Sequence, residues 1–116
     1  MCGLAGHFAY RADAPPTDAS ALERAADAMA SRGPDGSGTW RSDDGRIAFA
    51  HRRLAIIDLG ASGAQPMAAV DGRYVVVHNG EIYNFRALRR ELEVEGRTFV
   101  SQSDTEVLLH LYDRDG

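Results

Sequence analysis

The sequence holds a single cysteine, Cys2, so no disulfide can form within the chain; that suits a reducing compartment. Long apolar runs are also missing. The Ala-rich stretch 19–30 is broken by Glu23, Arg24 and Asp27, too polar for the core of a signal peptide or for a membrane span. The chain therefore reads as cytoplasmic, with no membrane partner. Nor is there a basic cluster: the arginines are spread from Arg11 to Arg114 and the net charge is −4, so the electrostatic footprint of a nucleic-acid binder is absent. No Cys/His group has metal-ligand spacing, and no metal site is expected. There is no repeat, low-complexity tract or linker. What is present is an ordinary globular composition, 44% hydrophobic and 26% charged over 116 residues, enough for one domain with a modest core.

Turn and cap signals divide the chain into short elements. Leu4–Tyr10 reads as a strand, with Gly6 marking close packing. Ser20 and Glu23 form a capping-box pattern; Leu22, Ala25, Ala26, Met29 and Ala30 follow at helical spacing, and Gly33-Pro34 is the expected stop. Ser37–Arg41 and Arg46–Ala50 read as a hairpin around Asp44-Gly45, and Arg53–Asp58 as a further strand. Gly60–Pro66 is a loop, and Asp71-Gly72 a turn before the β-branched run Arg73–His78. Asn84 is the expected cap of a helix to Glu95, with Phe85, Leu88 and Leu92 on one face and Gly96 at its end. Thr98–Ser101 reads as a brief strand. Ser103 and Glu106 make a second capping box before a helix burying Val107, Leu108 and Leu111. Strands with helices inserted irregularly predict an α+β fold of antiparallel sheets with helices on their faces.

The chemistry centres on Cys2. Removal of the initiator Met would place a thiol and a free α-amine on one residue, so that a neutral amine takes the thiol proton and later protonates a leaving group. His7, His51, His78 and His110 are the alternative bases; His7 and His51 lie in strand-like runs, where a structural role is expected. Asn79-Gly80 is a hairpin turn by composition. With only three residues before the helix signal at Asn84, strand, exposed turn and helix is the better context, leaving the Asn79 amide and the Gly80 N–H as two donors for an oxyanion. Gly33–Gly38 lacks the Lys-Ser/Thr ending of a phosphate loop and reads as a tight structural loop. Arg53 is either a solvated arginine or a bidentate clamp on a carboxylate. Asp104 suits a first helical turn, and an acid there can hold an ammonium group.

Five segments in order, Met1–Gly6, Arg32–Gly38, Ala50–Asp58, His78–Asn84 and Ser103–Glu106, together resemble the class II glutamine amidotransferase domain over essentially the whole chain. Within that class the Arg-Gly-Pro-Asp, His-Arg-Arg-Leu-Ala-Ile-Ile-Asp and Asn-Gly-Glu-Ile-Tyr-Asn segments are similar to those of glutamine-hydrolysing asparagine synthetases. The resemblance implies an N-terminal-nucleophile hydrolase fold, a four-layer αββα sandwich. It implies that Cys2 attacks the side-chain amide of L-glutamine, with Asn79 and Gly80 as the oxyanion hole. Arg53 would hold the α-carboxylate and Asp104 the α-ammonium, while Leu54, Ala55, Ile56 and Ile57, with Asn79, Gly80 and Glu81, line the pocket.

The resemblance also implies that residues 1–116 are the N-terminal part of the glutaminase domain, the family's later strands and its synthetase domain lying outside them. No cofactor is expected in this portion; ATP and magnesium belong to the synthetase domain, the expected partner, which amidates aspartate with the released ammonia. A homodimer is compatible with the resemblance. The alternatives are a related ligase acting on a peptide, polysaccharide precursor or secondary metabolite, and a non-catalytic fragment with the same fold.

Overall fold

A three-stranded antiparallel sheet organises the first half of the chain. Its strands are β1 (Gly3–Phe8), β2 (Gly36–Arg41) and β3 (Ile47–Arg53), in the order β1-β3-β2. The computed structural model describes all residues from Met1 to Gly116. The expected β2–β3 hairpin forms at Asp44-Gly45, where Gly45 takes a φ of +67°, a conformation without steric cost only for glycine. The Asp44 carboxylate fixes the turn by accepting from Arg46 N at 3.0 Å.

Alternation along β3 directs Ala48, Ala50 and Arg52 to one face and Ile47, Phe49, His51 and Arg53 to the other. Helix α1 (Ala19–Ala28) covers the first face, burying Leu22 and Ala26 against Ala48, Ala50 and Ala5. The alanines let helix and sheet approach closely, and Leu22 contributes about 1.5–3 kcal/mol by its burial. Both ends of α1 depart from expectation. Asp18, not Ser20, is the N-cap, accepting from Ser20 N at 2.9 Å. The helix ends at Ala28 because residues 29–32 tighten into i→i−3 turns, with Met29, Ala30 and Arg32 donating to Ala26, Asp27 and Met29.

Three expected strands are shortened or absent, and in each a side chain takes the backbone donors a neighbouring strand would need. After β3 ends at Arg53, Leu54 N is directed at the Cys2 thiol and Ala55 N donates to the Asp35 carboxylate at 2.9 Å; Arg53–Asp58 is therefore no separate strand. Val100 N and Ser101 N donate to the Glu106 carboxylate at 2.8 and 2.7 Å, which removes the strand expected at Thr98–Ser101. The run Arg73–His78 contracts to β5 (Val75–Val76), paired antiparallel with β4 (Met67–Ala68), and His78 N binds the Gln65 side chain instead.

Helix α2 (Phe85–Val94) starts at Asn84, whose side chain makes no capping bond, and buries Leu92 fully, leaving Phe85 and Leu88 half-buried. It ends at Gly96 as expected, with Arg97 N returning to Leu92 O. Helix α3 (Asp104–Asp115) is capped by Ser103, which accepts from Thr105 N at 3.1 Å. The capping box is only half formed, because Glu106 is already occupied by residues 100 and 101. Val107 and Leu109 are the buried apolar positions of α3; Leu108 and Leu111 are half-buried.

The second face of the large sheet is left open. Trp40, Ile47 and Phe49 look across a groove of about 1080 Å³ at Val75, Val76, Leu108 and Leu111. The radius of gyration, 15.0 Å, exceeds the roughly 13 Å of a closed domain of about this length. No helix is long and apolar enough to cross a membrane.

Glycine at 33 is needed for packing. A Cβ there would lie 2.4 Å from the carbonyl carbon of Arg52 and 2.6 Å from Arg53 N, contacts with backbone that cannot swing aside. Gly33→Ala is expected to destabilise the fold by about 1–3 kcal/mol, the usual range for overpacking, with a corresponding fall in the urea midpoint.

Candidate active site

Cys2 leads directly into β1, and Gly3 lies so close to Met29 that a Cβ would sit 2.9 Å from the Met29 side chain. The thiol is held from both sides of one residue: Sγ is 3.3 Å from Leu54 N and 3.7 Å from Leu54 O. Arg32 Nε donates to the Cys2 carbonyl at 3.3 Å. No histidine is hydrogen-bonded to Cys2, and the His51 ring is committed elsewhere, its Nε2 lying 3.2 Å from His78 O.

The loop after β3 forms one wall. Asp35 ties the Arg32–Gly38 loop to it, with Asp35 N donating to Arg53 O at 3.0 Å and the carboxylate accepting from Ala55 N. Arg53 Nη1 donates to Gly60 O at 2.7 Å and Nη2 to Asp58 O, so part of the guanidinium already braces the wall. The Asp58 carboxylate accepts from Gly60 N at 2.8 Å, Ser62 Oγ at 3.2 Å and Gln102 N at 2.9 Å. One acid thereby joins the 58–62 loop to the segment that enters α3.

The opposite wall is Asn79-Gly80, in the strand–turn–helix context expected; no strand returns after Gly80. Asp104, at the first position of α3, is buried and accepts from Ile82 N through Oδ2 at 2.9 Å. These elements enclose a cleft of about 360 Å³, the size of a small-ligand site. Cys2, Arg53, Leu54, Ile56, Ile57, Asn79, Gly80, Glu81 and Asp104 all line it, as do Met1, Asp58, Gln65 and His78. Ala55 does not; its N–H is spent on Asp35. The cleft thus sets a thiol, an amide, a guanidinium and a buried carboxylate around one small volume, a combination suited to an amino acid bearing a side-chain carbonyl.

The sequence did not single out Asp35, Asp58 or Gln65, and it offered His78 only as an alternative base. The two acids sit inside the quoted motifs, but their role is to hold backbone rather than a ligand. Gln65 lies in a loop with nothing local to mark it.

Two ionisable groups near the cleft are shifted. The Gln102 N–H, followed by Gly60 N–H and Ser62 hydroxyl, holds the Asp58 carboxyl below its ordinary value of 3.8 against the opposing effect of burial. Burial pushes His51 below its ordinary 6.5, partly offset by the bond to His78 O and reinforced by the Arg53 charge. The unfolded chain therefore protonates at position 51 while the folded one stays neutral. Stability from this residue is complete above pH 6.5 and is lost as pH falls from there through the folded value. Urea titrations followed by the single tryptophan, Trp40, on either side of that pH should show the decline. In a His51→Gln protein this component should be gone.

The α+β fold is consistent with a glutamine amidotransferase domain, and the chain belongs to that family, whose pattern it matches over residues 1–116. Among curated proteins it is 43% identical over 113 residues to asparagine synthetase [glutamine-hydrolyzing] 1 of Bacillus subtilis, covering 97% of this chain and 17% of that protein. It is 42% identical over 116 residues to asparagine synthetase B [glutamine-hydrolyzing] of Escherichia coli, covering 100% of this chain and 20% of that one. A protein named an amidase from Gibberella zeae is 36% identical over 124 residues, covering 100% and 18%. The chain thus spans a fifth or less of the length of these relatives.

Proposed function

We propose that this domain hydrolyses glutamine at Cys2 and that the ammonia serves asparagine synthesis in a longer protein. The observation that carries the reading is the convergence of Cys2, Arg53, Asn79, Gly80 and Asp104, from separate segments, on one cleft. With Met1 removed, the Cys2 amine takes the thiol proton and sulfur attacks the side-chain amide carbon. The carbonyl oxygen becomes an oxyanion facing the Asn79 amide and Gly80 N–H. Collapse of this intermediate breaks the C–N bond, the protonated amine supplies the proton that ammonia carries away, and a thioester remains. Water attacks the thioester through a second oxyanion, gives up a proton to the amine, and releases glutamate as the thiol re-forms. The free N–H groups of Arg53 bind the α-carboxylate, and Asp104 binds the α-ammonium through its second oxygen. In the longer protein a synthetase domain using ATP and magnesium activates the aspartate that receives the ammonia; no residue of this chain is assigned to that step.

The αββα sandwich is part of the same proposal. Helix α1, the large sheet, the open groove, and β4-β5 with α3 lie in the order such a sandwich requires, and further strands would fill the groove. The B. subtilis and E. coli relatives favour an asparagine synthetase over the related ligases, for which the similarity to the G. zeae amidase is the supporting observation.

Asp104→Asn tests substrate recognition. Asn keeps an acceptor for Ile82 N but removes the charge, and a hydrogen bond to a charged group is worth roughly 1.5–3 kcal/mol, about 10- to 100-fold in KM. Glutaminase assays should show KM for glutamine rising by that factor, with kcat changing much less. An unchanged KM would remove Asp104 from the site.

A further inference from the structure

We infer that His51 and Gln65 form a two-sided clamp on the His78 peptide and act as positioning residues for the donor pair Asn79-Gly80. The inference rests on the proposed glutaminase reading and extends it to residues outside the reacting centre. His78 immediately precedes the pair, and both its main-chain polar groups are held by side chains from elsewhere. Its N–H donates to Gln65 Oε1 at 2.5 Å, and its carbonyl lies 3.2 Å from His51 Nε2. The second end of Gln65 donates from Nε2 to Thr105 Oγ1 at 3.2 Å, next to Asp104. One side chain therefore sets the distance between the oxyanion donors and the helix terminus carrying the proposed ammonium ligand.

The sheet is shaped to admit this clamp. Gly38 pairs with His51 across β2 and β3, and a Cβ on Gly38 would lie 2.1 Å from Gln65 O. The missing side chain lets the Gln65 backbone press against the sheet beside His51. His51 itself carries a cost that packing alone does not explain. To donate to a carbonyl it must be the Nε2–H tautomer, leaving Nδ1 as an acceptor; that atom is buried with no partner, and the residue is fully buried. An apolar side chain would avoid the penalty of an unpaired polar atom. What the imidazole supplies is the contact to His78 O.

A donor must meet the developing oxyanion within a fraction of an ångström, so loosening the peptide that aims it should lower kcat far more than it raises KM. The test is glutaminase kinetics on the full-length enzyme with Gln65→Met, which keeps the length and loses the hydrogen bonds, and with His51→Gln, which keeps a donor for His78 O. Gln65→Met should lower kcat about 10- to 100-fold with KM within about threefold, and His51→Gln should hold kcat within about threefold. In an Asn79→Ala background, Gln65→Met should cost clearly less than it does alone, because one of the two donors it aims is already gone. Each protein is checked by its melting temperature, and a Gln65→Met enzyme that is folded but loses affinity and turnover equally overturns the clamp. So do full turnover in Gln65→Met or additive losses in the double variant while Asn79→Ala alone is impaired. Wild-type turnover in Asn79→Ala would instead overturn the oxyanion reading beneath it. Should Gln65→Met not fold, His51→Leu, which loses the bond to His78 O, should lower kcat about 10- to 100-fold while His51→Gln retains it; a folded His51→Leu enzyme with full kcat overturns the clamp.

Discussion

A full-length protein with one uncleavable residue ahead of Cys2 is expected to fold and bind glutamine yet release essentially no glutamate. The thiol would be present and correctly placed against Leu54, but its base would be locked in a peptide bond. General-base assistance is worth about 10²–10⁴-fold, and no histidine is hydrogen-bonded to Cys2 to replace it. Cys2→Ser should be impaired at least as severely, since a hydroxyl is a much poorer nucleophile at neutral pH. Synthesis from free ammonia, which bypasses the glutaminase, should survive both changes. Met1 lines the cleft, so its removal both frees the amine and opens space for substrate. Full glutaminase activity in the blocked protein would make a histidine the base, and His78, which lines the same cleft, would be the first to examine.

Asn79→Ala should lower kcat by about 10²–10³, the usual effect of removing one oxyanion donor, with a much smaller change in KM. The Asn79 side chain makes no hydrogen bond within the protein, and no strand returns after Gly80, so its loss removes no structural contact of that kind. Asn79→Asp is a useful companion: it preserves the shape but substitutes an acceptor and a negative charge where the oxyanion forms, and should be worse than Ala. Near wild-type kcat in Asn79→Ala would reduce Asn79-Gly80 to a turn.

The cleft-lining residues Cys2, Asn79, Gly80 and Asp104 were legible because their chemistry is written locally. A thiol beside the terminus, Asn-Gly between an apolar run and a helix cap, and an acid in a first helical turn each suggest a role without knowledge of partners. Antiparallel pairing was legible too, through the Asp44-Gly45 turn and the change of period that follows α1. The supporting contacts were not. Gln65 meets Thr105 across forty positions, and Asp58 meets Gln102 across forty-four; no periodicity signals either. The same nonlocality explains the overestimated strands. Residues 54–58, 73–78 and 98–101 have strand-like composition, but Cys2, Asp35, Gln65 and Glu106 reach their N–H groups first. Propensity counts β-branched residues and cannot see a distant carboxylate. The cap of α1 failed for a more local reason: Asp18, two residues upstream of Ser20, already satisfies the first turn.

The role of Cys2 as an N-terminal nucleophile is tested most directly by trapping it. Full-length enzyme is incubated with a glutamine analogue carrying an electrophilic ketone at the amide carbon, then read by intact mass and peptide sequencing. The expected product lacks Met1, gains one adduct on Cys2, and loses glutaminase activity in proportion to labelling, with glutamine protecting. A protein that retains Met1 and hydrolyses glutamine at full rate, or an inactivating adduct on any other residue, would contradict it.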